Sequence, residues 1–129
     1  MSYYFARTLT GTGFDEAIER TTEALKAEGF GVLSDIDIQA AMKEKLDVEF
    51  RKYRILGACN PPLALQALTA EDKIGTMLPC NVILQETDDG QVEVAAVDPA
   101  ASMQAVDNPD LSEVAGTVRD KLQKVIAAL

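Results

Sequence analysis

Two thiols carry most of the chemistry open to this chain. Cys59 and Cys80 are its 2 cysteines. Each is followed by asparagine, in Cys59-Asn60 and Cys80-Asn81, and each has a proline within two residues. Asn60 followed by Pro61-Pro62 predicts a helix start, which places Cys59 just before a helix N-terminus, where the dipole lowers a thiol pKa and favours thiolate. If the strands holding the two cysteines are antiparallel neighbours, the end of one meets the beginning of the other and the thiols converge at one end of a sheet. A pocket there would be walled by Cys59, Cys80, the side-chain amides of Asn60 or Asn81, and free helix N–H groups. That set suits a small anion or a soft metal ion. Two thiolates with Met77 suit Cu(I), and the same pair could instead run thiol, persulfide or disulfide exchange. Neither a CxxC spacing nor a histidine accompanies the pair, and free cysteine is often a small buried hydrophobe, so an inert role stands beside the reactive one.

Other motifs are weaker. Gly11-Thr12-Gly13 lies between a strand and a helix, but Glu16 stands where a third glycine of a phosphate-binding turn belongs, and Asp15 and Glu16 repel a phosphate. No Gly-Lys-Ser/Thr pattern is present, which excludes P-loop chemistry. Asp35 and Asp37 share a strand face and could touch a divalent cation, yet a hard cation needs more oxygen ligands than two. With no histidine in the chain, Ser-His-Asp triads and histidine-ligated zinc are ruled out. No catalytic motif remains.

Charge narrows the partners. The 129 residues carry 12 Lys and Arg against 21 Asp and Glu, a net −9. Residues 74 to 118 lack any basic side chain while holding Glu86, Asp88, Asp89, Glu93, Asp98, Asp107, Asp110 and Glu113. Nucleic-acid binding requires a basic stripe, so this balance argues against it, and against anionic membrane surfaces likewise. The basic residues Lys43, Lys45, Arg51, Lys52 and Arg54 are interleaved with Glu44, Asp47 and Glu49, which reads as a solvated edge or, more sharply, as a spot for a small anion or for an acidic face of a second copy. The N-terminus lacks the layout of a signal peptide and no apolar run is long enough for a membrane helix, so the expectation is a cytoplasmic protein. The length suits one domain, 1–129, with a core that needs no disulfide framework.

The elements that must position the thiols follow from periodicity. Strands are expected over residues 3–9, 30–38, 53–59, 79–87 and 91–97, the last two joined by the tight turn Asp88-Asp89-Gly90. Thr12 and Asp15 suggest a capping box for a helix from Phe14 that stops at Gly29. In the next strand Phe30, Val32, Ile36 and Ile38 are expected inward, with Asp35 and Asp37 outward. Asp37 caps a short helix to Leu46, a brief helix runs from Pro62 to Leu68, and Asn108-Pro109 starts a long amphipathic helix ending at Leu129. The order favours an α+β fold of two layers, with a mainly antiparallel sheet of about five strands under the helices. Its other face, carrying residues such as Tyr3, Tyr53 and Ile55, calls for a second subunit, hence a homodimer.

Several separated runs, Gly13-Phe14-Asp15-Glu16-Ala17, Glu28-Gly29-Phe30-Gly31-Val32, the stretch from Tyr53 to Pro61, and Leu78-Pro79-Cys80-Asn81-Val82, resemble the family called domain of unknown function 302. The resemblance covers roughly residues 3 to 100. It implies a strand, helix, four-strand, helix α+β fold with a TATA-binding-protein-like architecture, usually dimeric, and it implies no established activity.

Overall fold

Five strands form one antiparallel sheet in the order β1-β5-β4-β3-β2, with β1 Tyr4–Leu9, β2 Gly31–Asp37, β3 Tyr53–Cys59, β4 Cys80–Glu86 and β5 Val92–Val97. The structure is a computed structural model and describes residues 2–129. Helices α1 (Phe14–Ala27), α2 (Ile38–Leu46), α3 (Pro61–Ala70), α4 (Pro99–Ser102) and α5 (Pro109–Ala127) are joined by a 3-10 helix over Asp72–Met77. The fold is the expected α+β sandwich of two layers. Helices α1 and α5 pack on one sheet face, where Leu56, Val82, Leu84, Val92, Val94 and Ala96 are buried. Their spacing of two along each strand puts these side chains on a common face. Among the described residues, no helix is long and apolar enough to cross a membrane.

Local chemistry explains most boundaries. Helix α1 ends in a left-handed glycine: Gly29 has φ +86, its N–H reaches the Lys26 carbonyl at 3.0 Å, and the Phe30 N–H reaches the Leu25 carbonyl at 2.9 Å. This closure satisfies two orphan carbonyls and delivers Phe30 into the core. Asp37 caps α2 by accepting from the Ala40 N–H at 2.9 Å, and Asn108 caps α5 by accepting from the Asp110 N–H at 3.1 Å. Gly90, φ +80, turns the β4–β5 hairpin.

Three local expectations are corrected. The N-cap of α1 is Gly13, without a side-chain cap; Thr12 instead accepts from Arg20 Nη1 at 3.1 Å, so no capping box forms. Strand β2 carries a bulge: Val32 stands opposite Ala58 and Ser34 opposite Gly57, leaving Leu33 as the extra residue. That insertion reverses the alternation, so Ile36, expected inward, lies opposite Ile55 and is 48% exposed. Helix α3 includes both Pro61 and Pro62, starting one residue earlier than the spacing suggests and running to Ala70.

Candidate functional site

Strands β3 and β4 are antiparallel neighbours, and Ala58 pairs with Cys80 in the ladder. Cys59 is therefore the last residue of β3, next to the first residue of β4. Beyond this end, α3, the 3-10 helix, α4 and α5 close over a cavity of about 290 Å³ bordered by Cys59, Asn60 and Cys80. The rest of its wall is apolar, including Phe30, Leu63, Ala67, Leu78, Met103 and Val114, and among the described residues no charged side chain lines it. Leu33 and Leu68, 70% and 42% exposed, border the same cavity and mark its mouth. The bulge in β2 puts Leu33 there.

The two thiols differ. Both are free, Cys80 buried and Cys59 half-buried. Burial pushes the Cys80 thiol up from 9.0 to about 11, with the nearby Cys59 adding to the shift, so Cys80 is a neutral S–H at physiological pH. Strand alternation aims the Cα–Cβ bond of Cys59 away from that of Cys80, because Cys59 follows the residue paired with Cys80. The cavity borders both because it lies at the strand ends.

Asn60 occupies the N-cap position of α3 without capping it: its Nδ2 donates to the Glu28 carbonyl at 3.2 Å. The expected cluster of free helix N–H groups is also largely missing. Pro61 and Pro62 have no N–H to offer, and the Ala64 N–H is taken by the Asn60 carbonyl at 2.8 Å. Asn81 is not at the cavity. It pairs with Gly57, is exposed, and borders a shallow depression on the uncovered sheet face with Tyr3, Tyr4, Tyr53, Gln85 and Glu93. Met77 is 40% exposed and outside the cavity wall, whereas Met103, which sequence reasoning passed over, is inside it. Helix α4 was missed as well, although Asp98-Pro99 is a cap-and-proline start of the same kind as Asn60-Pro61; Asp98 accepts from the Ala100 N–H at 3.0 Å.

The remaining candidates are occupied by internal contacts. Asp35 and Asp37 flank Arg54, at 3.0 Å and 3.5 Å. Among the described residues, no three His, Cys, Asp or Glu side chains are grouped to hold a metal ion. The basic run is dispersed: Lys43 pairs with Asp47 and Glu49, while Arg51 stacks on Phe50 and donates to Gln85.

The family model described as domain of unknown function DUF302 matches residues 5–129. The comparison with curated proteins gives no match. Among solved structures, the chain is similar to the crystal structure of an uncharacterized conserved protein DUF302 from Bacillus stearothermophilus, with a TM-score of 0.91 and 28% identity over 99% of this chain and 98% of that one. A family match over nearly the whole length and the agreement in fold lead to one conclusion: the chain belongs to the domain of unknown function DUF302 family.

Proposed function

We propose that this protein is a small-molecule binding module of the cytoplasm, acting without turnover, whose ligand occupies the cavity at the β3–β4 end. The observation that carries this reading is the cavity itself: about 290 Å³, apolar apart from Cys59, Asn60 and Cys80, and open between Leu33 and Leu68. Ligand pockets are typically concave and apolar with a few placed polar groups, and their volumes start near this size. A small anion fits less well than a neutral ligand, because no cation and few free N–H groups face the cavity. The net charge of −9 disfavours nucleic acid and anionic lipid surfaces as partners.

The assembly we propose is a homodimer through the uncovered sheet face, where all 3 tyrosines of the chain gather beside Ile83 and Val97. Tyrosine is enriched in interfaces because it buries a large area while keeping a polar tip. Native mass spectrometry of freshly isolated protein tests both parts together. A dimer retaining one organic molecule per chain supports the reading; an empty cavity that takes up no apolar compound, or a monomer at micromolar concentration, contradicts the corresponding part. Ile83→Asp is expected to give a monomer that still binds.

A second reading is favoured by one observation, that Met103 joins Cys59 and Cys80 in the cavity wall. Three sulfurs suit a soft ion such as Cu(I). Elemental analysis after chelator-free purification separates the two, since a soft-metal protein retains stoichiometric ion and Cys59→Ser loses it. Thiol-disulfide chemistry is the least supported alternative, because the diverging Cα–Cβ directions oppose a Cys59–Cys80 bond.

A further inference from the structure

Asn60 is the one amide side chain in the cavity wall, and its orientation is fixed. Its Nδ2 donates to the Glu28 carbonyl at 3.2 Å, and a carbonyl only accepts, so Oδ1 must point elsewhere. Gly29 leaves room for this approach, since a Cβ there would stand 3.0 Å from Nδ2. Among the described residues Oδ1 itself accepts nothing: the helix start beside it is Pro61-Pro62, and no cap hydrogen bond forms. Asn60 is only 9% exposed, yet among the described residues no sealed side-chain oxygen lacks a partner. Oδ1 is therefore an unpartnered acceptor that is nearly buried and still reachable, on a residue that borders the cavity.

We propose that the cavity takes a neutral, mostly apolar molecule carrying one O–H or N–H group, which donates to Asn60 Oδ1. This rests on the cavity being the binding site and adds the ligand's chemical class. The apolar wall with its two thiols offers no partner for a carboxylate or an ammonium group, whose burial without an opposite charge is costly. A single rigid acceptor in such a wall discriminates strongly, because a ligand lacking the donor leaves Oδ1 desolvated and unpaired.

The test is calorimetric titration of the full chain with two probes of equal shape, 4-ethylphenol and 4-ethyltoluene, in which a hydroxyl is exchanged for a methyl group. In an apolar cavity without an acceptor, ethyltoluene binds more tightly. The proposal predicts the reverse, with the phenol tighter by about fivefold, the worth of one net hydrogen bond. Asn60→Leu should restore the order expected of an apolar cavity while keeping ethyltoluene binding. If that variant fails to fold, the two probes on the unaltered chain still decide. Ethyltoluene binding as tightly as the phenol, or more tightly, overturns the proposal and leaves the cavity reading standing; binding of neither probe overturns both.

Discussion

On the helix-covered face of the sheet Val82, Leu84, Val94 and Ala96 are fully buried, while one residue along in the same strands Ile83, Glu93, Ala95 and Val97 border a shallow open depression. The same backbone thus makes a finished core and an unfinished surface, because period-two alternation sends neighbouring side chains to opposite sides. The covered face is itself uneven. Over β4 and β5 it is sealed by α1 and α5, whereas at the β3–β4 end the helices stand off and leave the cavity. Stability resides in the sealed part, and the binding we propose belongs to the part left open.

The largest effect should separate the two faces. Leu84→Ala removes a fully buried side chain from the middle strand and is expected to cost about 3 kcal/mol, while Ile83→Ala beside it should cost the monomer less than about 1 kcal/mol. Urea unfolding measures both, and equal losses would break the comparison. Gly57 gives the next effect. A Cβ there would come within 2.7 Å of Pro79 Cγ and collide with Ser34 Oγ, so Gly57→Ala must displace the segment leading into Cys80. A loss of about 2 kcal/mol is expected, with weakened ligand binding; an unchanged midpoint would show that the segment yields freely.

The Cys80 thiol sharpens the picture at high pH. Because burial holds its folded-state pKa near 11, above the ordinary 9.0, the neutral thiol's contribution is complete below pH 9 and is lost as the pH rises toward 11. Stability relative to Cys80→Ala should fall by about 1.4 kcal/mol per pH unit across that window. A pH-independent difference would mean that Cys80 is wet rather than buried. Alkylation at neutral pH should also reach the half-buried Cys59 at least about tenfold faster than Cys80.

Much of this was legible in the residues. The α+β order, the Gly29 stop, the Asp37 and Asn108 caps and the Gly90 hairpin all rest on local chemistry that tertiary contacts did not override. The adjacency of Cys59 and Cys80 followed from antiparallel pairing of β3 with β4. The bulge at Leu33 breaks an alternation that the residue types do not interrupt: the inserted residue is a leucine, the strand's glycine, Gly31, stands two residues before it, and the insertion reverses the inside and outside of β2. The character of the site was misjudged for a related reason. Asn60 and the prolines after it were read as a source of helix N–H groups, but proline removes them, and the Asn60 amide turns to Glu28 instead. Met103 enters the wall through α4, a contact distant in sequence from both cysteines that no local pattern announces.

The most direct test of the cavity as a binding site is a fluorescence titration with the neutral apolar probe N-phenyl-1-naphthylamine, comparing the unaltered chain with Ala67→Phe. Ala67 is buried in the cavity wall, so a phenyl ring at this position fills the space that a ligand needs. Saturable binding of one probe per chain, weakened at least about tenfold in a variant that keeps the native circular dichroism spectrum, is the predicted result. Saturable binding of equal strength in both proteins, or none in the unaltered chain, would contradict it.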